Sequence, residues 1–350
     1  PHRSLAGLLG AHFDDPRLAQ LFARYATYVG GLPAYSPALL SLVWEAERRG
    51  VWHVRGGMYR LAQAIERLAR QRGAHFLYDT PVTRIEVQDG RPCAVHAGDT
   101  RLDVDAVLFN GDPRALVEGL LGHGARDAVA RSAVEPRSLS AHVQAFAADV
   151  AGDFPLAAHN VFFADDPLRE YAPLAQGGAQ DDPTLYVCAQ DRFGGARPRG
   201  AERFEIILNA APITGDPPVR PTAAAAIHPR EEHPPCHTLI FKRLARFGLR
   251  FSPAPDTGTL TSPAAWNSLF PGSNGSLYGR SPHGMMAAFQ RPTARTKMQG
   301  LYLVGGGAHP GAGVPMATLS GQHAAEAMAQ DLGLTSTSQR ADTRGGMSTA

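Results

Sequence analysis

The hydrophobic positions of the first fifty residues recur at helical spacing. Asp15-Pro16 is typical of an N-cap followed by proline at the first helical position, which predicts a helix to about Tyr28, before the glycines at 30 and 31. Ser36-Pro37 repeats this signal, and the following apolar residues share one face of a second predicted helix that ends at Gly50. The pattern therefore predicts a helical pair over residues 1–50.

Residues 51–73 have the pattern of a strand, a glycine turn and a helix. The predicted strand, residues 51–54, runs into the pair Gly56-Gly57. After this pair, apolar residues recur at helical spacing up to Gly73, which predicts the end of the helix. The residues on this apolar face are Met58, Leu61, Ile65, Leu68 and Ala69.

From residue 75 to residue 110 the period changes to two, which is typical of strands. The Asp89-Gly90 pair predicts a hairpin turn within a small meander. The run Ala106–Phe109 is apolar on both faces and predicts a buried strand, followed by a helix from Pro113 to Leu121. Strand-like runs separated by proline-rich loops then predict a second sheet between residues 138 and 251.

The last ordered unit predicted is a strand at 301–304, a glycine run at 305–313 and a helix from about Pro315 to Leu332. The residues from 335 to 350 are rich in Ser, Thr, Gln and Gly, which predicts a disordered tail. With 350 residues, two interwoven domains are expected. The chain begins at Pro1 in the middle of a pattern, from which we expect an incomplete sequence.

Composition removes several classes of function. The 34 Lys and Arg residues nearly balance the 32 Asp and Glu residues, so no overall positive field favours nucleic acid. Cys93, Cys188 and Cys236 are far apart and indicate neither a metal site nor a disulfide framework, so we expect no metal and a reducing, cytoplasmic location. No run approaches the roughly 20 apolar residues of a membrane span. A soluble or peripheral protein is expected.

The glycine run at 305–313 carries the strongest chemical signal. A helix N-terminus offers unpaired N–H groups, and glycines allow a ligand close to the backbone, so this turn predicts a cofactor site. An ordinary tight turn is the alternative. The run does not satisfy G-x-G-x-x-G, because the third glycine position counted from Gly305 is Pro310. It is therefore not the primary dinucleotide-binding loop.

Three motifs resemble those of carotenoid desaturases of the bacterial phytoene desaturase type. The stretch 300–316, continuing to Ser320-Gly321, resembles the family's carboxy-terminal signature, Arg55–Met58 its glycine-pair motif, and Pro81–Ile85 its adenine-contacting strand. The resemblance implies FAD as cofactor. It also implies these cofactor-binding residues: Gly56, Gly57, Met58, Val82, Gly306, Gly307, Val314, Pro315 and Met316. The family's amino-terminal strand with its G-x-G-x-x-G turn is missing from this sequence, so the chain alone is expected to bind FAD poorly.

The implied fold class is α/β, of the glutathione-reductase-like or amine-oxidase-like FAD type, lacking its N-terminal βαβ unit and with an interwoven substrate domain of mixed sheet plus helix. We expect residues 1–50 to be the helical part of the substrate domain and residues 122–290 its main part. Residues 51–121 and 291–334 are expected to be segments of the FAD domain that pack together.

Residues Tyr25 to Leu61 and Val107 to Pro113 resemble the hydroxycarotenoid 3,4-desaturases, also called hydroxyneurosporene or methoxyneurosporene dehydrogenases. This implies FAD-dependent C3–C4 desaturation of a 1-hydroxy or 1-methoxy carotenoid. The flavin would carry the difficult step while the protein orients an apolar chain. Phytoene desaturation, a flavin amine oxidase and a non-catalytic carrier of apolar ligands stay as alternatives. The electron acceptor is left unidentified.

Few side chains are candidates for specific roles. His309 is the one catalytic candidate, either for proton handling or as a residue that merely hydrogen-bonds the turn. Aromatic and aliphatic residues of the second sheet are candidates for a substrate tunnel or simply for core: Phe146, Phe162, Phe163, Leu208, Phe241 and Phe289. A terminal oxygen on the substrate would require a polar group near the blind end of such a tunnel.

A segment from Thr238 has apolar residues on one face, up to Phe251, and the arginines at 243, 246 and 250 on an adjacent one. It is interpreted either as a helix on a membrane surface or as a core-packed helix with a solvated basic side. The first interpretation would place a cytoplasmic protein at the inner membrane surface.

Overall fold

Helices begin the chain in this computed structural model, which describes residues 3–195, 198–215 and 234–334. They are α1 (Leu5–His12), α2 (Pro16–Thr27) and α3 (Leu42–Arg48). Asp15 caps α2 as predicted, since its side chain accepts a hydrogen bond from the Arg17 N–H. The predicted helical pair was incomplete: α1, capped by Ser4, packs on α2, and a 3₁₀ turn at Ala38–Ser41 precedes α3.

Helix α4 (Met58–Gln71) begins and ends where the sequence predicts. The strand predicted at residues 51–54 is wrong, because this segment pairs with no strand among the described residues, and Trp52 is 84% exposed. The apolar face of α4 is also uncovered by the described residues, with Ile65 at 60% and Leu68 at 50% exposure.

The predicted meander is present as β1 (Val82–Gln88), β2 (Arg91–Ala97) and β3 (Thr100–Asp103), all antiparallel. Asp89 and Gly90 turn the first hairpin with φ angles of 52° and 76°, as a two-residue turn of this type requires. Strand β4 (Val107–Phe109) and helix α5 (Arg114–Val117) follow. Helix α5 is shorter than the predicted 113–121, because Gly119 takes a positive φ of 72°.

The far end of the chain returns to this region. Strand β11 (Leu301–Leu303) pairs in parallel with β4, and helix α9 (Val314–Asp331) follows it. Ile85, Leu116, Leu301 and Leu303 are buried in one shared core. Residues near 82–134 and 298–308 therefore fold together although the second sheet separates them in sequence.

The second sheet has the strand order β10-β5-β8-β7-β6, with β9 paired to β5. Its strands are antiparallel: β5 (Ser140–Ala151), β6 (His159–Phe162), β7 (Leu185–Ala189), β8 (Glu202–Ala210), β9 (Arg250–Ser252) and β10 (Leu260–Thr261). The remaining helices are α6 (Pro167–Ala175), α7 (Pro234–Arg246) and α8 (Pro263–Leu269).

Helix α7 packs on one face of this sheet, where Ile240 and Leu244 are fully buried against Val187, Ile206 and neighbouring side chains. The surface-helix interpretation is wrong, because Arg243 is buried in an ion pair with Asp182 instead of facing solvent. Phe251 was also misplaced: α7 ends at Arg246, and Phe251 lies in β9.

No helix within residues 3–195, 198–215 and 234–334 has the length and apolarity needed to cross a bilayer. The predicted tail, residues 335–350, lies outside the described residues.

Candidate functional site

Helices α4 and α9 share an unusual N-terminus. Each begins after a glycine with positive φ, Gly57 at 92° and Gly313 at 101°, and neither has a side-chain cap. The other described helices of at least eight residues with a described N-cap are capped by a side chain, from Ser4, Asp15 or Asp166. The first N–H groups of α4 and α9 are thus left for a ligand or for water.

The residues predicted to bind the cofactor lie mostly at the surface of the described chain. Met58 is 52% exposed, Val314 55%, and Val82 46%. Pro315 and Met316 are exposed next to Val314, while Gly306 and Gly307 are half-buried. The described residues provide no hydrogen bond between the Gly56–Met58 turn and the Gly306–Met316 turn. The cofactor-binding role of all nine residues stays a prediction.

Most glycines of the 305–313 run serve the packing of the turn itself. A β-carbon at Gly305 would lie 2.4 Å from Asn110 Oδ1, and one at Gly307 would lie 2.7 Å from Pro113 Cδ. The turn therefore rests on the segment that follows β4. Gly306 differs, since the nearest heavy atom to its β-carbon would be the Gly311 carbonyl oxygen at 4.0 Å. Gly306 thus has open space beside it, as does Gly313, whose β-carbon would also meet no atom closer than 4.0 Å.

His309 is held by the neighbouring loop. Its Nδ1 lies 3.2 Å from the Ala288 carbonyl oxygen, and its backbone N–H donates to the Pro292 carbonyl. These contacts support the interpretation of His309 as a residue that fixes the loop. A role in proton transfer stays a prediction.

The second sheet has one face that α7 does not cover, because side chains alternate between the two faces. Val143, Ile207, Tyr186 and Val161 form a row across four strands in direct register, and all four are half-buried. In the next row, Glu205 and His159 are exposed and Cys188 is half-buried. We call the surface formed by these two rows, with Ala145, the open face.

The turn before α4 reaches one end of the open face. Gln190 directly follows β7, and a β-carbon at Gly57 would lie 2.4 Å from its Nε2. The His53 ring stacks on Phe193 at 4.3 Å, and Phe193 in turn contacts His159, with ring centroids 4.9 Å apart. The glycine pair therefore lies close to the row that contains Glu205.

The second glycine turn lies toward the other end of the sheet. Arg291 Nη1 donates to the carbonyl oxygens of Gly306 and Tyr278, at 3.0 Å and 2.7 Å. The next residue, Gly279, accepts from the Ser138 N–H just before β5. The open face is thus positioned between the two candidate cofactor turns.

Three titratable groups of the open face have a raised pKa. Burial raises the pKa of the Tyr186 hydroxyl and of the Cys188 thiol. Atoms packed around the Glu205 carboxyl raise its pKa as well, although part of this side chain is exposed. Tyr186 Oη lies 2.6 Å from His159 Nδ1, so its polar end is paired. A surface of this kind suits an apolar ligand with few polar groups.

The tunnel-wall candidates are placed differently from this surface. Phe146, Phe162, Leu208 and Phe241 lie in or against the core between the sheet and α7, so the core interpretation describes them correctly. Phe289 is 72% exposed. Sequence reasoning missed Tyr186, Glu205 and Gln190. The alternation of β7 and β8 could have revealed the first two, since the residues between buried positions belong to the other face.

Comparison with known proteins first identifies the fold class of the chain. The profile of the flavin containing amine oxidoreductase family matches residues 3–142. A solved oxidoreductase from Methanosarcina mazei superimposes with a TM-score of 0.51 at 17% identity, covering 93% of this chain and 68% of its own. The fold is therefore α/β and of the amine-oxidase-like oxidoreductase type, as the sequence predicts.

Sequence similarity is closer to carotenoid enzymes. The hydroxyneurosporene desaturase of Cereibacter sphaeroides is 53% identical over 333 residues, which are 95% of this chain and 65% of that protein. The hydroxyneurosporene desaturase of Rhodobacter capsulatus is 49% identical, with the same coverage. Over most of its length the chain is therefore similar to carotenoid desaturases. It spans 65% of the length of these relatives.

Proposed function

We propose that this chain forms the substrate-binding part of an FAD-dependent carotenoid desaturase that acts at C3–C4 of a 1-hydroxy or 1-methoxy carotenoid. The observation that carries this proposal is the open face, a largely apolar sheet surface positioned between two glycine turns with uncapped helix N-termini. The similarity to hydroxyneurosporene desaturases supports the substrate class.

The residues present fit an FAD site in part. Uncapped N–H groups at α4 and α9 and the open space beside Gly306 suit a flavin with its carbonyl and phosphate oxygens. When bound, the flavin would accept a hydride from the polyene. The chain would hold it with Gly56, Gly57, Met58, Val82, Gly306, Gly307, Val314, Pro315 and Met316. The row from Val143 to Val161 would bind the polyene and keep water away.

We propose two interwoven domains. Residues 51–121 and 291–334 would form the flavin-binding domain, supported by the pairing of β4 with β11 and their shared core. Residues 1–50 and 122–290 would form the substrate domain. The sequence contains no G-x-G-x-x-G turn. The exposed apolar face of α4 would bind a βαβ unit that carries such a turn and the FAD pyrophosphate.

We propose that the protein is cytoplasmic and peripheral at the inner membrane surface, since carotenoids dissolve in lipid. Exposed apolar side chains on α2 and near α3 support a contact with the bilayer. They are Leu18, Leu21, Leu39, Leu42 and Trp44. The basic residues Arg17 and Arg49, 87% and 76% exposed, belong to the same helical region and would lie near lipid phosphates.

The test combines the chain with a βαβ unit carrying G-x-G-x-x-G, fused or added as a second polypeptide. With FAD, we expect 1-hydroxyneurosporene to be desaturated far faster than phytoene. Equal or faster phytoene turnover would favour phytoene desaturation instead. Carotenoid binding without any flavin binding or turnover would favour the carrier function.

A further inference from the structure

The open face is covered at one end. On β8, Asn209 continues the open face two residues beyond Ile207, and Thr184 does the same on β7 beyond Tyr186. Both residues are buried, whereas Ile207 and Tyr186 are half-buried. Helices α2 and α6 provide the cover through Arg24 and Glu170, which form a buried ion pair with a 2.7 Å contact between Arg24 Nη1 and Glu170 Oε1.

The hydrogen bonds of Glu170 tie this cover to the sheet. Its Oε2 accepts from the Thr184 hydroxyl at 2.6 Å, and its Oε1 accepts from Arg24 and, at 3.4 Å, from Asn209 Nδ2. The Glu170 side chain is fully buried. The closed end of the open face is therefore polar, although the rows that lead to it are mostly apolar.

Tyr171 directly follows Glu170 on α6, and its hydroxyl differs from the Glu170 carboxylate in its hydrogen bonding. Its ring packs among Leu32, Leu139, Leu174 and Ala211, and its buried O–H has no hydrogen-bond acceptor among the described residues. Burial and the Glu170 carboxylate raise the pKa of Tyr171 to about 12, against the Arg24 guanidinium, which acts on the oxygen as a charge and as a hydrogen-bond donor, so this hydroxyl stays protonated beside the ion pair. A buried hydroxyl whose proton has no acceptor is unfavourable, which indicates a donor that a ligand oxygen would pair.

We propose that Tyr171, positioned beside the Arg24–Glu170 pair, binds the terminal oxygen of a polyene that lies along the open face. This inference rests on the proposed function and deepens it, because it assigns the residue that selects a 1-hydroxy or 1-methoxy end over a hydrocarbon end. The Tyr171 hydroxyl can donate to either oxygen. A hydrocarbon end would leave the hydroxyl proton without an acceptor, which gives discrimination against that substrate.

The position of the closed end agrees with reaction at C3–C4. Residues two apart on one strand are separated by about 6.8 Å. Carbons C3 and C4 are only two or three bonds from C1, so an oxygen at the Asn209 end places them within about one row, near Ile207 and Tyr186. This is the end of the sheet toward the Gly306–Gly307 turn.

The test is Tyr171→Phe, which removes only the hydroxyl. The full chain with FAD and the variant are each incubated with 1-hydroxyneurosporene or with neurosporene, and retained pigment is measured by absorption after size-exclusion chromatography. We expect wild type to prefer the hydroxylated carotenoid. In Tyr171→Phe, the ratio of hydroxylated to unhydroxylated carotenoid bound should fall about five- to tenfold. The thermal unfolding midpoint should be unchanged or higher.

Tyr25→Phe is the matched control, because the Tyr25 hydroxyl donates a hydrogen bond of 2.7 Å to Glu47 and therefore already has an acceptor. It should keep the full preference. If Tyr171→Phe kept the preference, or lost binding of both carotenoids to the same extent, the inference would be overturned while the desaturase proposal stayed intact. If wild type itself binds neither carotenoid, the proposed function fails instead.

Discussion

Gly57 lies directly against the side-chain amide of Gln190, so closely that a β-carbon at Gly57 would come 2.4 Å from Gln190 Nε2. Gln190 follows the last residue of β7, and Gly57 is the N-cap of α4. This contact joins the glycine-pair turn to the end of the open face. It therefore fixes the position of a candidate cofactor turn relative to a candidate substrate surface.

Substitution of Gly57 by alanine should affect both stability and flavin binding. The φ angle of 92° is unfavourable for an L-residue and should cost about 1–2 kcal/mol of unfolding free energy. The new methyl group would also displace Gln190. In the chain combined with the βαβ unit, we expect Gly57→Ala to lower FAD affinity in titrations monitored by flavin fluorescence.

Gly73→Ala is the control for Gly57→Ala. Gly73 has nearly the same φ, 90°, but no atom lies within 4 Å of its potential β-carbon. It should lose similar stability and keep its FAD affinity. An equal decrease in FAD affinity in the two variants would show that backbone strain alone, and not the Gln190 contact, causes the decrease.

Adjacent glycines of the second turn should behave in opposite ways. Gly306→Ala meets no atom closer than 4.0 Å and has no positive φ, so the unfolding midpoint should change little while FAD affinity falls. Gly307→Ala would bring its methyl group 2.7 Å from Pro113 Cδ and should lower the midpoint itself. Unchanged flavin binding in a well-folded Gly306→Ala protein would remove Gly306 from the cofactor site.

The sequence predicts elements that depend on local signals. Asp15-Pro16 identifies the start of α2, and Gly73 the end of α4, because caps and glycines act within a few residues. Residues 51–54 have a strand-like pattern but form no strand, since a strand also requires a partner. The open face could not be predicted, because only the register between β5 and β8 places Val143 beside Ile207.

For the closed end, the sequence predicted only that a polar group should lie near the end of an apolar site. It did not predict which residues provide that group. Arg24 and Glu170 are 146 residues apart in sequence, and no local pattern connects them. Charged residues on helices are usually exposed. Their burial follows from the way α2 and α6 pack over the ends of β7 and β8, which is a tertiary property.

The ionisation of Glu205 should make stability depend on pH. Part of its side chain is exposed, yet the atoms packed around the carboxyl raise its pKa above the ordinary value. Between the unfolded pKa, about 4.3, and the raised folded pKa, the folded protein binds more protons, so stability falls as pH rises through this window. We expect Glu205→Gln to gain more stability over wild type at pH 7 than at pH 4, measured by urea unfolding.

Asp191, in the turn that follows β7, has a pKa shift of the opposite sign. Hydrogen bonds from Arg203 lower the pKa of Asp191, so its stabilising contribution is present above its unfolded pKa and is lost as pH falls through the folded value. Asp191→Asn should therefore lose stability at pH 7 and lose less near pH 3. Parallel pH profiles for the two variants would contradict the assignment of Glu205.

The last prediction concerns the exposed face of α4. Ile65 and Leu68 are 60% and 50% exposed, so Ile65→Gln with Leu68→Gln should change the unfolding free energy of the chain by no more than about 0.5 kcal/mol per substitution. If this face binds a βαβ unit, the double variant should bind that unit at least about tenfold more weakly in calorimetry, because burying such side chains contributes about 1.5–3 kcal/mol each. Arg67→Gln, at another exposed position of α4, should bind the unit normally. Normal binding by the double variant would show that the unit, if it binds, uses another surface.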